Sequence, residues 1–208
     1  MTRLWDISPP IASDSPLFPG DTAYSQQWTA TITPGCPVNL SAITMSPHIG
    51  AHADAPLHYG DGAPTIGQVG LDPYLGACRV IHAIGCGPLV RPEHLAHSAT
   101  DLPPRVLVRT CEQAPTHWSP AFSAFAPETI AWLASLGVRL VGIDSQSVDP
   151  ADSKTLPSHH LLLRHDLRVL ENLVLDDVPE GDYELIALPL KLMTADASPV
   201  RAVLRKLP

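Results

Sequence analysis

Short apolar runs alternate with turn-forming residues along the whole chain, and the spacing within each run predicts its element. Residues 4–8 read as a first strand, stopped by Pro9 and Pro10. Residues 30–33 and 39–45 are predicted as short strands, and residues 17–22 before them form a turn by composition. Residues 79–84, 106–110 and 140–143 are β-branched or apolar runs bounded by turn residues, so they read as strands. Residues 168–175 and 183–188 do the same. Residues 127–136 read as a buried helix, with Pro127 at its first position and Gly137 as the left-handed cap beyond its end. A second helix is predicted from Pro157, with Ser158 as its cap and Asp166 near its end. Strands outnumber helices, and the helices are short. That pattern suits an α/β or α+β domain with a large mixed sheet or barrel.

Composition narrows the class. The 208 residues suffice for one substantial domain, and residues 1–208 are read as one, with two small domains as the alternative. The 23 prolines are scattered, so they punctuate a domain and mark no linker. A hydrophobic content of 45% with 16% charge describes a folded soluble chain. The formal net charge of -8 argues against nucleic acid as the main partner, because phosphate binding needs a basic face. No apolar run approaches the roughly 20 residues that span a bilayer. The N-terminus, from Met1 to Asp6, has no apolar signal core, so no membrane association and a cytoplasmic location are expected. Cys36, Cys78, Cys86 and Cys111 form no CxxC pair and read as four ordinary buried thiols.

The candidate chemistry is concentrated between Pro47 and His58. His48, His52 and His58 share this stretch with Asp54, and no Lys or Arg is there to neutralise the carboxylate. Imidazole nitrogen and carboxylate oxygen are the donors a zinc-like cation binds. A straight strand would set His48 and His58 on the order of 33 Å apart. Ligands of one zinc each lie about 2.0–2.2 Å from it. The segment must therefore curl, and a tight loop with Gly50 near the ion is expected. The other candidates are His159, His160 and Glu171. One continuous helix would hold His159 and Glu171 roughly 18 Å apart, so the chain must double back between them. Glu171 lies in an otherwise apolar run, which suggests a ligand, although an edge-strand position facing water is the alternative. Asp144, at the end of a predicted strand, reads equally as a site residue and as a turn cap. His82, His94, His97, His117 and His165 read as surface or hydrogen-bonded residues.

His48-x-Gly50-x-His52-x-Asp54-x-Pro56 resembles the signature of the metal-dependent cyclase-like hydrolases. Residues 4–8, 18–22, 52–59, 140–149 and 169–173 are similar to the kynurenine formamidase branch of that family. The resemblance implies a swivelling β/β/α fold, a homodimer and a binuclear site holding two Zn²⁺ per subunit. Mn²⁺ and Co²⁺ are substitutes that the same ligands accept. It implies that His48, His52 and Asp54 hold one metal, and that Asp54 bridges to a second one completed by Glu171 and a histidine. The family spacing of twelve residues selects His159 for that histidine, and the doubled histidine leaves His160 as the alternative. His58 would be the catalytic acid/base and Phe18 an aromatic in the substrate pocket. The implied reaction is hydrolysis of N-formyl-L-kynurenine to L-kynurenine and formate, in tryptophan degradation. The competing readings are an isatin-type cyclic-amide hydrolase on the same fold, a metal-binding protein without turnover, and histidines simply packed in a loop.

Overall fold

The strand runs of the middle and second half of the chain meet at the centre of one sheet. The computed structural model describes residues 3–207. Met1, Thr2 and Pro208, the ends of the span read as one domain and the start of the N-terminal segment, lie outside the described residues. The strands are β1 (Leu4–Asp6), β2 (Ser25–Ala30), β3 (Leu40–Thr44), β4 (His52–Asp54), β5 (Leu75–His82), β6 (Leu89–Val90), β7 (Arg105–Arg109), β8 (Ala124–Phe125), β9 (Leu140–Ile143), β10 (Arg168–Glu171), β11 (Gly181–Ile186), β12 (Ala197–Pro199) and β13 (Val203–Lys206). The helices are α1 (Pro56–Tyr59), α2 (Pro92–Leu95), α3 (Pro127–Ser135) and α4 (Pro157–His165). Nine strands form one mixed sheet in the order β1-β13-β11-β5-β7-β9-β10-β4-β12, while β2 pairs with β3 and β6 with β8.

The centre of the sheet, β5-β7-β9-β10, is parallel. Parallel strands are covered on both faces, which is why residues 106–108 of β7 and all of β9 read as apolar runs. Their side chains alternate between two cores. Val106, Val108, Val141, Ile143 and Val169 pack with Ile130 and Leu133 of α3 and Leu162 of α4. Leu107, Leu140 and Leu170 point the other way, into a core shared with Trp5 and Leu204 from one end of the sheet and Ala53 from the other. Residues from both ends can share one core only if the sheet curls into a half-barrel. Backbone bonds tie that curl: Val174 N–H donates to the Ile7 carbonyl at 2.9 Å, and Ile7 N–H to that of Ala202 at 3.0 Å. No helix among the described residues is long and apolar enough to cross a membrane.

The mixed sheet with short helices agrees with the expected α/β class, and α3 begins at Pro127 as predicted and ends at Ser135, one residue early, with Gly137 at φ +85 just beyond. Several boundaries move for identifiable reasons. The strand expected at residues 30–33 lies earlier, in β2, because Gly35 at φ +98 turns the chain and leaves Thr33 and Cys36 as an isolated bridge. β5 starts at Leu75, earlier than expected. β10 stops at Glu171 because Asn172 adopts a left-handed φ of +57. Ser158 does not cap α4. The cap position is Leu156, and the Ser158 hydroxyl donates to the Phe125 carbonyl at 2.9 Å. Of the four cysteines only Cys78 is buried, and all four are free thiols.

Gly142 shows how tightly the half-barrel core is filled. A Cβ there would come within 2.5 Å of Leu107 Cδ2 and 2.9 Å of Leu173 Cδ1. Gly142→Ala should cost about 1–3 kcal/mol by overpacking. Leu107→Ala should cost about 2–5 kcal/mol by leaving a cavity. Because the new methyl fills part of that cavity, the double variant should lose less than the sum. Denaturant titration of the three variants measures this, and strict additivity would contradict the packing.

Candidate metal centre

The alternation Ala51-His52-Ala53-Asp54-Ala55 explains how two polar ligands reach a buried point. Ala53 of β4 and its flanking neighbours Ala51 and Ala55 face the half-barrel core while His52 and Asp54 share the other face, as residues two apart on a strand must. β4 lies between β10 and β12, antiparallel to both, and its register sets His52 opposite Glu171. Side chains directly opposite on neighbouring strands point the same way, so His52 Nε2 comes 3.3 Å from Glu171 Oε2 and 3.4 Å from Asp54 Oδ1. Glu171 is therefore an interior residue, 3% exposed, and not the edge-strand carboxylate of the alternative reading.

α4 completes the buried group. His159, at 2% exposure, sets its Nε2 3.5 Å from Asp54 Oδ2 and 3.6 Å from Glu171 Oε1. His160, its neighbour, is exposed. Asp149 holds α4 in place. It accepts from the backbone N–H of Ser158 at 2.9 Å and of His159 at 3.0 Å, and from His159 Nδ1 at 2.7 Å. One carboxylate thus caps the helix and fixes the imidazole tautomer, leaving Nε2 as a bare lone pair. The Gly50 carbonyl does the same for His52, accepting from Nδ1 at 2.9 Å.

Between Pro47 and His58 the chain makes a turn, the strand β4 and the single helical turn α1, in place of the loop expected there. This path brings the His48 and His58 rings to 4.3 Å between centroids. His48 Nδ1 lies 3.0 Å from Asp54 Oδ1. Asp196, which the sequence did not flag, reaches both histidines: Oδ2 is 3.0 Å from His48 Nε2 and 3.2 Å from His58 Nδ1. It precedes β12, and its carbonyl accepts from Ala55 N–H at 2.8 Å. Only the pairing of residues far apart in sequence puts it there. Asp144 serves as the turn cap, accepting from Thr110 N–H at 2.8 Å, the Thr110 hydroxyl at 2.6 Å and Cys111 N–H at 3.1 Å. His48, His52, His58, His159, Glu171 and Phe18 all line one cavity of about 290 Å³.

The donor set fits a cation. Both oxygens of Asp54 and Nε2 of His159 are buried without a hydrogen-bond partner. Four ligands about 2.1 Å from a tetrahedral ion lie roughly 3.4 Å from one another, and the contacts here match that separation. Two groups have ligand atoms all within 4.8 Å of one another: His52, Asp54 and Glu171, and His48, Asp54 and His58. Burying Asp54 and Glu171 as bare carboxylates would cost several kcal/mol each, so positive charge must meet them. In the absence of metal, protons meet this need. Burial opposes charge on His48 and His159, but the carboxylates of Asp54 and Asp196 beside the first, and of Asp149, Asp54 and Glu171 beside the second, raise each pKa to about 10. Burial likewise opposes charge on Asp54, yet its histidine neighbours hold its pKa well below the usual carboxylate range.

Comparison with known proteins identifies the family. The family model described as "Putative cyclase" matches residues 5–150. A solved structure titled "The Structure Of Potential Metal-Dependent Hydrolase With Cyclase Activity" superposes with a TM-score of 0.86 at 28% identity, covering all of both chains. The chain belongs to this family of cyclase-like hydrolases. Within it, the chain is 70% identical to the kynurenine formamidase of Bordetella pertussis over the whole of both proteins. It is 68% identical to that of Delftia acidovorans, over 99% of this chain and 98% of the relative.

Asp54→Ala should abolish stoichiometric metal uptake, measured by elemental analysis after zinc addition, because Asp54 faces every other candidate ligand. Retention of full metal content would rule out a bridging Asp54. A second prediction concerns pH. Stability from His48 and His159, whose pKa values rise from 6.5 to about 10, is complete below pH 6.5 and lost as the pH climbs towards 10. The melting temperature of chelated protein should therefore fall between pH 6.5 and about 9, and zinc should suppress that fall by occupying the same lone pairs. A flat profile for the chelated protein would contradict the proton-loaded cluster.

Proposed function

We propose that this chain hydrolyses N-formyl-L-kynurenine to L-kynurenine and formate. The observation that carries the reading is the buried, partnerless Asp54 carboxylate facing three imidazoles and Glu171, in a chain 70% identical to a named kynurenine formamidase. His48, His52 and Asp54 would hold one Zn²⁺, and Asp54, His159 and Glu171 a second. Bound there, the cations supply the charge that acidifies a water and stabilises the oxyanion of an attacked carbonyl.

The remaining steps belong to the chain's own residues. The scissile bond joins a formyl carbon to an aniline nitrogen, which leaves poorly as an anion and so needs a proton. His58 is on the exposed side of the cluster, beside the candidate metal ligand His48, where an imidazole can move a proton to that nitrogen. The Asp196 carboxylate accepts from His58 Nδ1, which turns Nε2 towards the substrate. Phe18 lines the cavity and offers a face or edge to the aromatic ring of the substrate; Trp118 supports it edge-on with centroids 6.0 Å apart. A homodimer, which rests on the resemblance, belongs to the same reading, as do a single domain over residues 1–208 and a cytoplasmic location.

The deciding experiment measures formamidase activity before chelation, after it and after zinc is added back, with isatin assayed alongside. Loss and recovery of N-formylkynurenine turnover, with little isatin turnover, is expected. Preference for isatin would overturn the assignment. His58→Ala should keep its metal while kcat drops roughly 10²–10⁴-fold. Near-normal turnover of that variant would remove His58 from the mechanism.

A further inference from the structure

Two opposite charges line the same cavity as the histidines and do not neutralise each other. Asp21 follows Phe18 in a turn closed by its own N–H donating to the Phe18 carbonyl at 3.1 Å. Its carboxylate accepts from the Ser46 hydroxyl at 3.3 Å and, among the described residues, pairs with no cation. Lys154 comes from the loop between β9 and α4, and it is the single Lys or Arg among the residues lining the cavity. Among the described residues its ammonium makes no ion pair or hydrogen bond, in a chain whose net charge is -8. The loop that presents it is ordered. Ser153 N–H donates to the Pro150 carbonyl at 2.9 Å, Leu156 N–H donates to the Ser153 hydroxyl at 3.2 Å, and Leu156 itself is held at φ +42, a conformation unfavourable for a branched side chain.

A ligand that satisfies both groups brings an anion and a cation of its own. It also places an aromatic ring by Phe18 and a reactive carbonyl at the histidine cluster. An α-amino acid zwitterion attached to an aryl group meets that description. We propose that Lys154 and Asp21 form the subsite for the amino-acid end of the substrate, with the ammonium of Lys154 pairing the α-carboxylate and the carboxylate of Asp21 accepting from the α-ammonium. This assignment rests on the formamidase reading and adds to it the orientation of the substrate. A free α-carboxylate is itself a good zinc ligand and could enter the centre in place of the formamide. Holding it on Lys154 keeps the formyl group directed inward, and a substrate without the zwitterion loses that guidance.

The test compares N-formyl-L-kynurenine with 2-formamidoacetophenone, which keeps the ring, the ketone and the formamide but lacks the amino-acid end. Wild-type protein, Lys154→Met, Lys154→Arg and Asp21→Asn are assayed on both. The ratio of kcat/KM for the first compound to that for the second should fall roughly 10–100-fold in Lys154→Met and in Asp21→Asn, mainly through KM, as expected for a lost hydrogen bond to a charged group. Lys154→Arg should restore most of it. Lys154 is exposed, so Lys154→Met decides the matter even if Asp21→Asn, which alters the Ser46 contact, folds poorly. Turnover of both compounds by wild-type protein with an unchanged ratio in Lys154→Met overturns the subsite alone. Turnover of neither by wild-type protein overturns the formamidase reading, and the subsite with it.

Discussion

Asp54 stands on a three-residue strand, 1% exposed, with both carboxylate oxygens lacking a hydrogen-bond partner. In a folded interior such a group persists only against positive charge, since the effective penalty for an uncompensated buried ion is several kcal/mol. Much of the local architecture answers that requirement. The strand is enclosed by β10 and β12, so Glu171 arrives opposite His52 and the two carboxylates share one pocket. α4 brings His159 over the same point, and the turn before β4 brings His48. Imidazoles can face a divalent cation as neutral ligands or protonate in its absence, so the cluster can be stable with and without metal.

Around this centre a further layer of contacts decides which way each ring points. Gly50 and Asp149 take the Nδ1 protons of His52 and His159, so both present Nε2 inward. Asp149 also caps the first N–H groups of α4, coupling the position of the helix to the orientation of its histidine. Asp196 touches His48 and His58, the two more exposed histidines of the cluster, and links them to each other. The carboxylates and imidazoles share their cavity with Phe18 and with the charges of Asp21 and Lys154.

The legibility of the chain follows the range of the forces involved. Parallel central strands bury both faces, so residues 106–108 and 140–143 announce themselves as apolar runs. α3 carries its start and stop signals locally, in Pro127 and Gly137. The two-residue strands β6 and β8 and the three-residue β12 have no such signature, because a strand that short is defined by its partner. Ser158 had the chemistry of a cap, but Asp149 supplied the acceptor from outside the helix and left the hydroxyl to bond Phe125. Asp149 and Asp196 are ordinary acidic residues in sequence. Their importance comes from contacts spanning 10, 138 and 148 positions.

The amino-acid order alone determined the donor chemistry, since three histidines and an aspartate among small apolar residues, with no nearby cation, leave few ways to balance charge. It also determined the class of sheet, through the length and period of the apolar runs. Tertiary structure decided which donors meet. The choice between His159 and His160 depends on the face that α4 turns to the sheet, and Glu171 became an interior group only through the register of β10 with β4. Such choices depend on closing long loops and burying shared surface. Those free energies belong to pairs of distant segments, and neither member of a pair encodes them alone.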